Sequence, residues 1–222
     1  MRRGFSLCPR AHRCALHYLE MKKPLHRSID GSRLINLSKQ SLLNLSQRHS
    51  TTLQYTVEEA KQLLIAAKGL DLVPYIAVGL FAGVRMEEMC RLRGRHFDFQ
   101  SKVIFLNAEI AKKRAQRTID MLPALLAYLE PYKDQLKDDY RIAEDNKITR
   151  TRKALLEASQ LKEWKNNSLR HSYGSYHFAM FNDAVKTSHE MGNSADMVHT
   201  HYKALVLKSE AEKYWNLRPC RV

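Results

Sequence analysis

Residues 72–81 read LVPYIAVGLF and carry no charged side chain. A helix that is apolar on every side must be enclosed by other elements, so this stretch predicts the central helix of a core. The chain has 222 residues, which is enough for one good-sized domain with an appendage. No apolar run approaches the ~20 residues needed to cross a bilayer, so no membrane span is predicted.

Local signals around this helix predict a mixed domain. Thr56 and Glu59 form a capping box that begins one helix, and Gly83 permits a turn before another helix over residues 85–92. Strand-forming runs occur at residues 97–99, 103–106 and 118–122. Further helices are predicted at residues 123–132, at residues 147–160 and after a cap at Ser209. The predicted fold class for residues 55–222 is therefore α+β and mostly helical, with a small antiparallel three-stranded sheet.

Basic residues outnumber acidic ones along the chain. The sequence contains 37 Lys and Arg residues against 23 Asp and Glu residues, a formal net charge of +14. This excess indicates a polyanionic partner, and nucleic acid is the first interpretation. Residues 1–54 are basic and lack a sustained period, so they are predicted to form a loosely ordered arm. Arg10, His12 and Arg13 interrupt any signal-peptide core, so a cytoplasmic protein is expected.

The cysteines give no sign of a disulfide framework or a metal site. The four cysteines have no paired spacing, so reduced thiols are expected. Cys8, His12, Cys14 and His17 lie close together, but their spacing matches no standard zinc pattern. No metal is predicted.

Residues 166–206 place one arginine and one tyrosine in positions that suggest chemistry. Apolar residues at three- and four-residue steps predict a helix over Ser168–Phe181 with Arg170 in its first turn. A cation at a helix start opposes the helix macrodipole, so an anion is expected beside Arg170. Ser194 is placed to cap a second helix that ends near Tyr202. On periodicity alone, Tyr202 is better explained as a core aromatic residue than as a nucleophile.

Arg85 is a second arginine at the start of a predicted helix, and two such arginines can aim at one phosphate. The alternative is a surface arginine paired with Glu87 or Glu88. Residues 112–117 read KKRAQR and form a basic turn between two strands. As a solvated turn, this run would touch phosphates nonspecifically.

Several separated segments together resemble the tyrosine recombinase (phage integrase) family. They are GVRMEEMCRL around Arg85, LRH at Arg170, and a Gly-x-Ser break about ten residues before Tyr202. These boxes occur in the family's order and cover about residues 55–215. The resemblance implies a catalytic domain that cuts and rejoins DNA strands through a covalent 3′-phosphotyrosine, in site-specific recombination or in the integration of a mobile element.

The resemblance also implies a role for each matching residue. Tyr202 is the nucleophile, Arg85 and Arg170 clamp the phosphate, and Glu88 is the acid three residues after the first arginine. Lys112 is preferred to its neighbour because it precedes the next arginine of the family pattern by five residues, and it would hand a proton to the departing 5′-oxygen. The implied partner is double-stranded DNA, with self-association on DNA and with no cofactor, metal or small-molecule substrate.

Two positions depart from the family pattern. Asn167 stands where the family usually has His, three residues before the arginine, and Asn193 stands where it usually has His or Trp. Asparagine can donate a hydrogen bond to a phosphate but cannot carry a proton at neutral pH, so general-base assistance is expected to be weakened. His171, His199 and His201 lie close in sequence, either as surface or cap residues or as a substitute base, with His171 as a supporting residue.

The N-terminal segment is a third departure, because the family's helical core-binding domain does not fit into residues 1–54. Two alternatives to an active recombinase therefore stay open. One is a catalytically impaired, integrase-derived DNA-binding protein, and the other is a basic helical protein of unrelated fold that binds RNA. Arg85, Lys112, Arg170 and Tyr202 should converge on one basic cleft if the chain is an active recombinase or its impaired derivative. An unrelated RNA-binding fold gives no reason for that convergence.

Overall fold

The computed structural model describes residues 53–111, 116–202 and 205–219. Its helices are α1 Val57–Gly69, α2 Val73–Ala82, α3 Met86–Met89, α4 Ala108–Ala111, α5 Pro123–Leu129, α6 Asp145–Ser159, α7 Ser168–Phe181, α8 Ala184–Met191, α9 Ala195–Tyr202 and α10 Lys208–Trp215. Short 3-10 turns cover Gly94–His96 and Glu130–Tyr132. Residues 1–52 of the predicted N-terminal arm lie outside the described residues.

Helix α2 is the centre of the core, as its apolar composition predicts. All ten of its residues are buried, and it packs against α1, α5 and α7. The chain before α1 is fastened to α7 as well, since the Tyr55 amide donates to the Ser172 hydroxyl at 2.9 Å and the Tyr176 hydroxyl donates to the Tyr55 carbonyl at 3.1 Å. Helix α7 therefore lies in the middle of the packing, between the central helix α2 and the segment that precedes α1.

The sheet consists of β1 Phe97–Asp98, β2 Val103–Leu106 and β3 Arg117–Asp120, antiparallel in the order β1-β2-β3. Ile104 pairs with both Phe97 and Ile119, and these three side chains are buried. Leu106 pairs with Arg117, so β3 brings an arginine onto the buried face of the sheet. The α+β, mostly helical fold with a three-stranded antiparallel sheet is thus confirmed.

Two local predictions need correction. The predicted helix over residues 85–92 is limited to α3, because the chain turns after Met89 and Arg93 forms a bridge with Arg141. Ser209 does not cap the last helix, since α10 begins at Lys208 and its N-cap residue Leu207 makes no side-chain capping bond. The predicted helices otherwise differ from those observed by a few residues at their ends, and α7 has the predicted bounds.

The start of α1 yields a test of helix capping. The Thr56 hydroxyl accepts from the Glu59 amide at 3.2 Å, while the Glu59 carboxylate accepts from the Thr56 amide at 2.7 Å. We expect Thr56→Ala to lower the free energy of unfolding by about 1 kcal/mol, because it leaves an N-terminal amide without its acceptor. Ser209→Ala, in the first turn of α10, should change it by less than about 0.5 kcal/mol. Urea unfolding of the two variants measures this, and equal effects would contradict the assigned caps.

Candidate active site

Arg170 is held in the first turn of α7 by main-chain acceptors from two other segments. Its two terminal nitrogens donate to the Gly83 carbonyl at 2.5 Å and to the Met191 carbonyl at 2.7 Å. The residue is only 9% exposed. Burial, together with the neighbouring charge of Arg85, lowers the pKa of Arg170 to about 9. The guanidinium therefore stays positively charged near neutral pH while lying in a site that favours an added anion.

Arg85 approaches the same place from the N-cap of α3. The Glu88 carboxylate accepts from the Arg85 amide at 3.1 Å and from its guanidinium at 3.4 Å. The other end of that guanidinium donates to the Gly192 carbonyl at 2.7 Å. Arg85 therefore pairs with Glu88, but not as the surface pair considered as an alternative, since Glu88 is buried and the Arg85 side chain is only 20% exposed.

Asn193 joins the two arginines. Its side-chain oxygen accepts from Arg85 at 2.7 Å and from Arg170 at 3.0 Å. A single acceptor atom thus bridges both guanidinium groups, which places them close enough to bind one phosphate between them. Arg85 and Asn193 are half-buried, so this side of the cluster is open to solvent.

Arg117 is a third arginine of the cluster, and its role was not predicted. It lies on β3 and forms a two-pronged ion pair with the Glu88 carboxylate, at 2.7 and 3.2 Å. Burial opposes ionisation of Glu88, but the Arg117 hydrogen bonds and charge outweigh it and, with Arg85, lower the pKa of the carboxyl. Removing one partner of such a buried pair costs about 3–5 kcal/mol, so Arg117 fixes the acid that holds Arg85.

The end of α8 supplies consecutive acceptors to these arginines. The Glu190 carbonyl accepts from Arg117 Nε at 2.8 Å, and the next two carbonyls accept from Arg170 and Arg85. Carbonyl groups at a helix C-terminus carry partial negative charge and favour cations. Gly192 has φ +63°, and a Cβ there would lie 3.1 Å from the Arg117 guanidinium carbon, so this turn requires glycine.

Tyr202 lies in the last turn of α9 with its hydroxyl 3.2 Å from His171 Nδ1. The tyrosine is 4% exposed. Gly174 makes room for its ring, since a Cβ at that position would come within 2.9 Å of the ring carbons. Burial raises the pKa of Tyr202, while the charges of Arg170 and Arg85 act in the opposite direction. The nucleophile predicted from the sequence therefore lies within the electrostatic field of both arginines.

His171 is the titratable group that contacts Tyr202. Burial lowers the pKa of His171, and the charges of Arg170 and His201 lower it further. The imidazole is therefore neutral at pH 7. In the tautomer that leaves Nδ1 unprotonated, this nitrogen can accept a hydrogen bond from the Tyr202 hydroxyl.

The structure brings together most of the residues singled out in the sequence. The residues that meet at this site are Arg85, Glu88, Arg170, His171, Asn193 and Tyr202. Asn167 is exposed at the N-cap of α7, and within the described parts of the chain its side chain makes no hydrogen bond. Lys112 lies outside the described residues, so its predicted place in the site stays a prediction.

The helices and sheet that carry this site have the fold of a tyrosine recombinase catalytic domain. Structural similarity is found to the XerA recombinase, with a TM-score of 0.58, 19% sequence identity and 75% of this chain covered. It is also found to the XerH site-specific recombinase bound to its difH substrate in a pre-cleavage complex, with a TM-score of 0.52, 16% identity and 75% of this chain covered. The matches span 66% of the first protein and 53% of the second.

Comparisons by sequence add no further relative, since no protein-family model and no curated protein matches the chain. In the described ranges, no helix is long and apolar enough to cross a membrane. In the same ranges, no group of three or more His, Cys, Asp or Glu side chains is arranged to hold a metal ion.

The coupling between Arg170 and His171 can be measured without DNA. We expect Arg170→Gln to raise the pKa of His171, because it removes a positive charge that disfavours the imidazolium. Titration of the imidazole signals by NMR measures the change. Arg91→Gln is the matched control, since Arg91 donates to the Ile110 carbonyl and belongs to a different cluster. A His171 pKa that stays the same or falls in Arg170→Gln would contradict the arrangement.

Proposed function

We propose that the chain cuts and rejoins double-stranded DNA as a site-specific recombinase that works through a covalent 3′-phosphotyrosine on Tyr202. The observation that carries this proposal is that Arg85 and Arg170 meet on Asn193, while Tyr202, in contact with His171 next to Arg170, lies within the electrostatic influence of both arginines. The recombinase fold supports it, and so does the net charge of +14, which favours a polyanionic partner.

The arginines provide the phosphate site. Arg85, Arg117 and Arg170 bring three positive charges to the site. Arg85 shares the Glu88 carboxylate with Arg117 and the Asn193 oxygen with Arg170, so Glu88 supplies a single negative charge to two of the three arginines. Among the described residues, the acceptors of Arg170 are neutral carbonyl and amide oxygens. A phosphodiester would supply the missing negative charge, and its nonbridging oxygens gain charge during attack, so two guanidinium groups stabilise the transition state more than the ground state.

Tyr202 and His171 provide the attacking group. A phenol with its pKa raised by burial requires a proton acceptor, and the neutral His171 imidazole is in hydrogen-bond contact with it. In the proposed step the phenol oxygen forms a bond to phosphorus, its proton passes to His171 Nδ1, and the bond from phosphorus to the 5′-oxygen breaks. Lys112 is proposed to protonate that departing oxygen. His171 thereby serves in place of the family histidine whose position Asn167 occupies.

The intermediate preserves the free energy of the broken bond. The phosphotyrosine links Tyr202 to the 3′ end of one strand, so a free 5′-hydroxyl can attack it and restore a phosphodiester. The reverse step can join a different strand, which is recombination. Two expectations from the sequence stay predictions: that the reaction serves the integration of a mobile element, and that copies of the chain associate on DNA.

The nucleophile is tested by trapping the adduct on a nicked suicide DNA substrate. We expect a covalent protein–DNA product from the natural sequence and none from Tyr202→Phe, because phenylalanine has no attacking oxygen. His171→Asn should slow adduct formation by about 10²- to 10⁴-fold, the usual contribution of a general base. In the natural sequence, the rate of adduct formation should decrease as pH falls through the His171 pKa, because the base becomes protonated. In His171→Asn this decrease should be absent.

Tyr176→Phe is the matched control, since this buried hydroxyl, on the same helix as Arg170, donates to the Tyr55 carbonyl and not to a residue of the site. Adduct that persists in Tyr202→Phe would show that another residue is the nucleophile. DNA binding with no adduct in any variant, across many DNA substrates, would favour the integrase-derived DNA-binding protein that lacks catalysis.

DNA affinity has its own signature. We expect the logarithm of the binding constant to fall linearly with the logarithm of salt concentration, with a slope of about −0.9 for each phosphate neutralised. Arg170→Ala should change this affinity little, since it removes one phosphate contact among many, yet reduce adduct formation by about 10²- to 10³-fold. Fluorescence anisotropy over a salt series measures the slope. A DNA-binding constant that does not change with salt concentration would contradict an interface dominated by phosphate contacts.

A further inference from the structure

A buried cluster of polar side chains lies behind the arginines and has no part in the steps above. The Tyr173 hydroxyl, on α7, donates to the Glu190 carboxylate at the end of α8. His177 Nε2 lies 3.5 Å from the same carboxylate oxygen, and Lys186 lies 3.8 Å from the other one. Tyr173 and His177 are fully buried, and Glu190 is 4% exposed.

A carboxyl group in this position is costly, so its presence requires a reason. Burial removes the charged form from water and raises the pKa of Glu190, while the hydrogen bond from Tyr173 acts in the opposite direction. The surrounding residues are largely core residues of α7 and α8, where an apolar side chain of similar size would avoid this cost. The bond between Glu190 and Tyr173 instead ties the end of α8 to α7 in one specific register.

That register determines where the arginines point. The carbonyl of Glu190 accepts from Arg117, the carbonyl of Met191 from Arg170, and the carbonyl of Gly192 from Arg85. These three acceptors are consecutive, so a shift of the main chain at Glu190 moves all of them together. The side chain of Glu190 anchors the first of them.

We propose that Glu190, held by the Tyr173 hydroxyl, is a positioning residue that sets the main-chain template for Arg85, Arg117 and Arg170. Its effect on strand cleavage rests on the proposed function, whereas its effect on arginine geometry does not. The residue touches no DNA in this scheme and acts through the carbonyls that follow it.

The geometric part is tested by exchange of arginine side-chain protons. Arg117 Nε–H donates to Glu190 itself, so we expect its exchange with water to become at least about tenfold faster in Tyr173→Phe and in Glu190→Gln. Arg91 Nε–H donates to the Ile110 carbonyl at 2.9 Å and should be unchanged, as a reference within the same NMR spectrum. Tyr214→Phe is the matched control, since it removes a fully buried tyrosine hydroxyl that donates to the Leu80 carbonyl at 2.8 Å.

The functional part is tested by single-turnover cleavage of a nicked DNA substrate. Tyr173→Phe should lower the cleavage rate at saturating DNA by about tenfold and leave the half-saturating DNA concentration unchanged, because misplaced arginines weaken the transition state more than the many ground-state contacts. Tyr214→Phe, compared at a temperature equally far below its own melting point, should cleave at the natural rate.

The outcomes separate the two proposals. Equal Arg117 exchange in Tyr173→Phe and Tyr214→Phe would overturn the positioning role, whether or not DNA is cleaved. Equal cleavage rates in those two variants, with an active natural sequence, would overturn it as well. If the natural sequence forms no adduct, the proposed function fails, and the exchange measurement still decides the role of Glu190.

Discussion

The meeting of Arg85 and Arg170 on the side-chain oxygen of Asn193 is the interaction on which the site depends. Two guanidinium groups repel each other, and burial makes this worse, so they stay together only where acceptors surround them. The end of α8 provides those acceptors, and β3 contributes a third arginine that binds Glu88. Helix, turn and strand thus converge because each satisfies part of one buried cationic cluster.

The surrounding fold makes this cluster rigid. Arg170 begins a helix whose far side packs on the central apolar helix α2, and Tyr202 lies on a helix that packs on α7 and α8. Groups that are already in place need no rearrangement when charge develops on a phosphate, which is how fixed dipoles and charges accelerate phosphoryl transfer. This rigidity has a cost in stability, because buried polar pairs such as Glu88 with Arg117 lose their hydration and occupy places where apolar side chains could pack.

Much of this arrangement was predictable from local sequence signals. The apolar run of α2 predicts a core helix, and the steps of aromatic residues in α7 predict its bounds, because both patterns report burial directly. The arginines at two helix starts conflict with the helix dipole, which predicts a nearby anion, and for Arg85 the Glu88 carboxylate is that anion. Arg117 was missed, although an arginine on the inward face of a strand, in register with Leu106 and on the same face as Ile119, is itself a signal of a buried partner.

Other features depend on contacts that local patterns do not encode. Glu190 lies in an ordinary helical position, and only the packing of α8 against α7 shows that its carboxylate is buried on Tyr173. The contact between His171 and Tyr202 likewise joins residues 31 positions apart. The main-chain carbonyls that orient the arginines are present at every residue, so sequence carries no mark of which ones are used.

The bridging oxygen of Asn193 has a consequence for ligand choice. Under the proposed function, a phosphate that takes the donors now bound to this oxygen gains the difference between two sets of hydrogen bonds, not the full value of the new set. A free phosphate or nucleotide brings few other contacts to offset that exchange. A phosphodiester within a duplex brings many neighbouring phosphates to the protein, so under the proposed function the bond to Asn193 would favour the polymer over small phosphate-bearing metabolites.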